Sequence, residues 1–236
     1  MTAFIDAPRD RFELEAANWS KVTEMELSSW RGTDSEFATF VPAEGDAFLR
    51  FQRVGGPARI HLDVHVDDPR AASARSVELG ATQVADHGYL VMRSPTGFTF
   101  CWVPAHSDQK RPLPTSHGSL VDQVCLDVDP DGFAAEVDFW AAVTGWEPRQ
   151  SPFPQFVSIT GADSMPIRLL VQRRDDPSGA TTAHLDLAAT DYEAEAIRHE
   201  RLGARVVRRG AMWTTLRDPA GLDYCVTGRP PALGPR

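Results

Sequence analysis

The chain contains itself twice. Residues 11–27, RFELEAANWSKVTEMEL, align with residues 132–148, GFAAEVDFWAAVTGWEP, at Phe12/Phe133, Glu15/Glu136, Trp19/Trp140 and Val22-Thr23/Val143-Thr144. FLRFQR (48–53) matches IRLLVQR (167–173), HLDVHVDD (61–68) matches HLDLAATD (184–191), and each is followed by LGA, at 79–81 and 202–204. SPTGFTFCWV (94–103) then matches DPAGLDYCVT (218–227). Matched residues stay about 119 to 124 positions apart, so insertions within a copy are small. Between the copies, PAHSDQKRPLPTSHG (104–118) carries three prolines and no periodicity, as a linker does. The expected organisation is domain 1 over 1–106, a linker over 107–117 and domain 2 over 118–230.

Within a copy the order of elements is legible. Residues 3–7 alternate as a short strand. Phe12, Ala16, Trp19, Val22 and Met25 or Leu27 then recur at helical spacing, as do Phe133, Val137, Trp140 and Val143. Segments 37–41 and 47–53 read as strands of a meander. After a strand at 60–66, Asp68-Pro69 supplies an N-cap and a proline at the first helical position, and Gly80 sits where that helix stops. Strands at about 89–93 and 98–103 follow, joined by a Pro-x-Gly turn. In the second copy that turn is Asp218-Pro219-Ala220-Gly221, which suits type I geometry. Each copy is therefore β-α-β-β(-β) twice over, an α+β class.

The His-x-Asp strands carry the candidate site. Successive strand residues point to opposite faces. Ile60, Leu62, Val64 and Val66 share one face and His61, Asp63 and His65 the other, and Leu185 and Leu187 likewise oppose His184 and Asp186. The apolar face suits the helices bearing Trp19 and Trp140. The polar face needs water, a ligand or hydrogen-bonded partners, because unpaired buried polar groups cost several kcal/mol, roughly 2–7. Gln123, Cys125 and Asp127 lie on one face of a further strand, and Asp6 repeats the position of Asp127. Trp19 and Trp140 read as core anchors, and Trp30, Trp146 and Trp213 as flat aromatics at element ends able to clamp a ligand. His199, on a helix amid charges, reads as solvated surface. His87, His106 and His117 fall in loops or the linker.

Composition excludes several function classes. The 236 residues are 42% hydrophobic and 24% charged, ordinary for a globular core. A net charge of −9 argues against a nucleic-acid partner, which needs clustered Lys and Arg. No apolar run approaches the roughly 20 residues of a membrane span, and MTAFIDAPRD has no basic-then-apolar leader pattern. Three widely spaced cysteines, Cys101, Cys125 and Cys225, suit free thiols in a reducing compartment. The expectation is a cytoplasmic protein acting on a small molecule.

The tandem modules, FW…VTGW on the first helix, HLDL, LGA and the closing DPAGLDYC together resemble the vicinal oxygen chelate superfamily, which includes glyoxalase, bleomycin-resistance and extradiol-dioxygenase relatives. The resemblance spans nearly the whole chain. It implies tandem βαβββ modules forming two U-shaped mixed-sheet cups, with helices on the convex face and a ligand cavity on the concave one. It also implies that the chain carries its own pseudo-dimer, so a monomer or a weak homodimer is expected. The positions that hold a metal in relatives fall here on Gln123, His184 and Cys225, and on Thr2, His61 and Cys101, with no carboxylate at the closing-strand positions. That pattern implies no metal and no other cofactor, Gln123 and His184 being the residues a divalent ion would use.

Three function classes follow. One is metal-independent binding of an aromatic or amphipathic metabolite, similar to bleomycin-type sequestering proteins. Its ligand-binding residues would be Gln123, His184, Asp186, Cys225 and Trp213, with His61, Asp63 and Cys101 as their first-copy counterparts. Another is a lyase or isomerase with His184 as general base oriented by Asp186. The last is a scaffold with vestigial cups. Absent metal ligands weigh against the enzyme, and the retained His, Asp and Gln weigh against the scaffold.

Overall fold

A computed structural model of the chain describes residues 1–105, 110–162 and 165–231. His106 and the first part of the expected linker lie outside the described residues. The first copy runs β1 (Thr2–Pro8), α1 (Phe12–Thr23), β2 (Glu26–Leu27), β3 (Phe37–Val41), β4 (Leu49–Val54), β5 (Arg59–Val66), α2 (Pro69–Glu78), β6 (Thr82–Asp86), β7 (Leu90–Arg93) and β8 (Thr99–Pro104). The second repeats it as β9 (Ser119–Val128), α3 (Phe133–Thr144), β10 (Glu147–Gln150), β11 (Phe156–Thr160), β12 (Arg168–Arg173), β13 (Thr182–Ala189), α4 (Tyr192–Arg201), β14 (Arg205–Arg209), β15 (Trp213–Arg217) and β16 (Asp223–Gly228). The strand orders are β2-β3-β4-β1-β5-β8-β7-β6 and β10-β11-β12-β9-β13-β16-β15-β14. This is the βαβββ module four times over, in two mixed sheets of the α+β class.

Local chemistry explains most boundaries. Asp68 Oδ1 accepts from the backbone N–H of Arg70 and Ala71, both at 3.0 Å, and Pro69 opens α2. Asp191 caps α4 in the same way through the Ala194 N–H. Gly80 takes the left-handed φ of +96° that α2 needs just beyond its end. The first helix stops earlier than its apolar spacing suggests. Glu24 adopts a left-handed conformation, φ +56°, and the chain turns straight into β2, whereas α3 uses Gly145 for the same bend. The outer strands β2, β6, β10 and β14 are the elements the sequence does not announce. They are short or mostly exposed, and β6 and β14 each carry a bulge that breaks the two-residue alternation.

The chain packs as two compact units, each drawn from both copies: 1–3, 61–109 and 124–183 in one, 4–60, 110–123 and 184–236 in the other. The first unit joins α2 to α3. Arg75 donates to the Ala142 carbonyl at 3.0 Å, and the Thr96 hydroxyl donates to Glu136 at 2.7 Å. Phe100 meets Trp140 edge-on at 5.0 Å. The second unit joins α1 to α4 with the equivalent residues. Arg198 donates to the Lys21 and Val22 carbonyls at 3.1 and 2.7 Å, satisfying acceptors at the end of α1. The Trp19 indole N–H lies 3.2 Å from Glu15 and 3.1 Å from Asp218, and its ring meets Tyr224 edge-on at 5.1 Å. Trp19 and Trp140 are wholly buried, as core anchors should be. Among the described residues no helix is long and apolar enough to cross a membrane.

Candidate functional site

In the second copy, β13 runs parallel to β16 with Leu185 opposite Tyr224 and Asp186 opposite Cys225. Strand β15 runs antiparallel to β16 with Thr215 opposite Cys225. Leu185 and Tyr224 face α4, where the Tyr224 hydroxyl is 3.1 Å from His199 Nδ1. His184, Asp186, Cys225 and Thr215 therefore share the face away from α4, helix-free among the described residues. Gln123, from β9, donates its amide N–H to Asp186 Oδ2, and His184 Nε2 lies 3.3 Å from Asp186 Oδ1. Cys225 Sγ is 3.3 Å from the Thr215 hydroxyl. Asp186 is 2% exposed and Gln123 4%. A carboxylate so buried requires donors; Gln123 supplies one to Oδ2, while Oδ1, near His184, is left without a hydrogen-bond donor.

The first copy uses the same register differently. Strand β5 runs parallel to β8 with Asp63 opposite Cys101, and β7 places Val91 opposite Cys101. His61 Nε2 is 4.0 Å from Asp63 Oδ1. Thr2, the counterpart of Gln123, does not reach Asp63; its hydroxyl is 2.8 Å from His65 Nε2. His61, Asp63 and Cys101, all buried, bring one ligating atom each to within 4.8 Å of one another. This changes the donor set expected from the sequence. A carboxylate is present after all, supplied by the His-x-Asp strand itself and aligned with the thiol by the parallel pairing. Imidazole, carboxylate and thiolate are all zinc ligands, and three protein donors are what an open zinc site uses. The trio fits that ion better than manganese, which favours oxygen donors.

Other candidates find simpler places. His199 is not on the solvated surface: it is fully buried, with Nε2 3.1 Å from Glu195 and Nδ1 against Tyr224. Burial pushes its pKa down and that of the Tyr224 phenol up. Burial alone would raise Glu195, but hydrogen bonds from Arg198, His199 and Ser119 outweigh it and hold the carboxyl well below its usual range. Glu15 goes the other way, pushed up to about 9 by burial and by the neighbouring Asp218 carboxylate. Trp30 packs on Phe12 at 4.3 Å, and Trp146 lies against Gly161, leaving no room for a Cβ there. Trp213 does stay on the helix-free face, opposite Thr227, with the Arg208 guanidinium 6.0 Å from its ring centre. Asp6 holds Arg59 at 2.7 Å as a strand anchor. A shallow depression lined by Arg70, Ser73, Val77, Gln83 and Leu90 lies between α2 and the β6–β7 hairpin, on the helix side.

Thr215, Arg208 and the Thr2–His65 contact are not legible in the sequence. All three depend on which strands pair, and strand pairing has no local signature.

Residues 2–103 and 123–227 each match the family model described as a glyoxalase-like domain. Among solved structures, a 4-hydroxymandelate synthase mutant from Streptomyces coelicolor is 15% identical, with a TM-score of 0.62 over 100% of this chain and 92% of that one. A Mn(II)-bound glyoxalase from Novosphingobium aromaticivorans is 17% identical, with a TM-score of 0.65 over 96% and 80%. A 2,2',3-trihydroxybiphenyl 1,2-dioxygenase from Sphingomonas wittichii is 13% identical, with a TM-score of 0.62 over 96% and 88%. Identities this low establish the shared fold. Among curated proteins no significant match is found.

Proposed function

Because the chain belongs to the glyoxalase-like domain family, in two tandem copies, we propose that it binds a small aromatic or amphipathic molecule on the helix-free face of its second copy. One observation carries this reading: a buried Asp186 that accepts from Gln123, with one oxygen left without a donor near His184 and Cys225, on the face away from α4. Such a group offers a ligand hydroxyl or carbonyl an imidazole and a carboxylate oxygen side by side, and Trp213 supplies a flat apolar wall on the same face. Two relatives named for hydroxylated aromatic compounds support the aromatic class. No step of this binding needs a metal. Thermal-shift titration with a panel of phenols and aromatic carboxylic acids tests it. A saturable rise in Tm is expected with at least one class. His184→Ala should keep the far-UV circular dichroism and weaken that binding by about 1–3 kcal/mol, the cost of an unpaired buried group. Absence of any hit, or a hit indifferent to His184→Ala, overturns the reading.

A second reading, an enzyme of the same family, is favoured by the first copy. His61, Asp63 and Cys101 would hold a zinc ion, which would supply a Lewis acid to polarise a ligand oxygen. Cobalt(II) reports on it without turnover. A thiolate-to-cobalt absorption that Cys101→Ser abolishes supports this reading, and a featureless titration removes it.

A further inference from the structure

The two copies build the same outer strand and then decorate it differently. Strand β14 pairs with β15 as Arg205 opposite Arg217 and Val206 opposite Leu216; a bulge then skips Val207, leaving Arg208 opposite Thr215 and Arg209 opposite Thr214. Without that bulge the alternation would put Arg205, Val207 and Arg209 on one face. With it, Arg205 and Arg208 share the helix-free face, and Arg209 turns to the helix side, where it lies 3.9 Å from Glu200 of α4. The pairings therefore set up one continuous row across four strands: Asp186, Cys225, Thr215, Arg208. The first copy has the same bulge, with Ala85 opposite Val91 and Val91 opposite Cys101, so its row ends in two apolar side chains.

Arg208 is also differently placed from its neighbours in charge. Arg217, on the next strand, is neutralised by both oxygens of Asp223. Among the described residues Arg208 has no carboxylate partner, and its guanidinium rests over the Trp213 ring at 6.0 Å. An exposed guanidinium in a chain of net charge −9 is a local attractor for anions. Three strand spacings of about 4.8 Å separate the backbones of Asp186 and Arg208, about 14 Å.

We infer that the second copy takes an anionic ligand, its carboxylate, sulfonate or phosphate held by Arg208 with the Thr215 hydroxyl, its flat body on Trp213, and its polar far end at His184 and Asp186. This rests on the binding reading above and names its substrate class. The first copy, with Ala85 and Val91 in those positions, lacks this anion subsite.

Two dyes with the same ring system separate the ideas: 1-anilinonaphthalene-8-sulfonate carries a charge, and N-phenyl-1-naphthylamine does not. Arg208→Gln should weaken the sulfonate about tenfold, the scale of one charge-assisted hydrogen bond, and leave the neutral dye within about twofold. Arg209→Gln removes the same charge from the same strand on the other face and should change neither. The inference falls if Arg208→Gln leaves the sulfonate unaffected, if it weakens both dyes alike, or if Arg209→Gln does as much. The underlying reading fails separately, when His184→Ala leaves the neutral dye unchanged, and binding of neither dye overturns both.

Discussion

Glu15→Gln should make this protein more stable at neutral and alkaline pH. Glu15 is fully buried beside Asp218. Asp218 Oδ1 already accepts from the backbone N–H groups of Ala220, Gly221 and Leu222, and Oδ2 accepts from Trp19. Glu15 Oε1 also faces the Trp19 indole, but Oε2 is buried with no donor. The shared proton therefore sits on Glu15, whose folded pKa rises from 4.5 to about 9. The unfolded chain releases that proton above pH 4.5 and the folded chain keeps it. Stability from this group is fully present below pH 4.5, declines as pH rises, and is lost once pH passes about 9. At pH 7.5 the interval is three units, which at about 1.4 kcal/mol each makes a cost of about 4 kcal/mol, or about 2 if local relaxation halves it. A glutamine amide reproduces the protonated carboxyl without that cost. Urea denaturation of wild type and Glu15→Gln from pH 5 to 9 measures the difference directly. Subtracting the curves cancels the opposing effect of His199, whose lowered pKa costs stability as pH falls below its ordinary 6.5. The difference should grow from under about 1 kcal/mol at pH 5 to about 2–5 kcal/mol at pH 8. Parallel curves, or a variant less stable than wild type at pH 8, refute the reasoning. Glu136→Gln, at the equivalent place, should act in the opposite direction. Glu136 receives donors from Trp140 at 2.8 Å and Thr96 at 2.7 Å, so an amide N–H there opposes a donor and costs about 1–3 kcal/mol.

Arg198→Ala should destabilise the protein by about 3–5 kcal/mol in the same urea assay, because it strips Glu195 of a buried partner. Arg75→Ala, which removes one exposed bond to Ala142, should cost under about 1.5 kcal/mol. Asp68→Ala should cost about 1 kcal/mol through loss of the α2 cap, read as a small drop in urea midpoint with unchanged slope.

What the sequence revealed was local or repeated. Asp68-Pro69 and Gly80 bracket α2 because capping chemistry acts within a few residues, and the His-x-Asp alternation assigns faces because a strand has a fixed period. His199 was misread because EAEAIRHER carries its charges all round, and only Ser119 and Tyr224, brought in by other strands, show which side is buried. Asp63 is legible as a pocket-wall residue but not as a fellow metal ligand of Cys101, because their nearness depends on β5 pairing with β8. The bulges hid β6 and β14 for a related reason: an extra residue erases the alternation by which a strand is recognised.

The intertwining of the copies also dictates an order of events during synthesis. Helix α1 is made well before its partners, for the Trp19 indole bonds a residue 199 positions later and the end of α1 is held by an arginine 176 positions from Val22. Until Arg198 and Asp218 leave the ribosome, the Lys21 and Val22 carbonyls lack that donor and the Trp19 indole lacks that acceptor. A stop codon ahead of Asp218 would therefore take from α1 the acceptor of its buried indole and the Tyr224 ring against it, as well as removing β16.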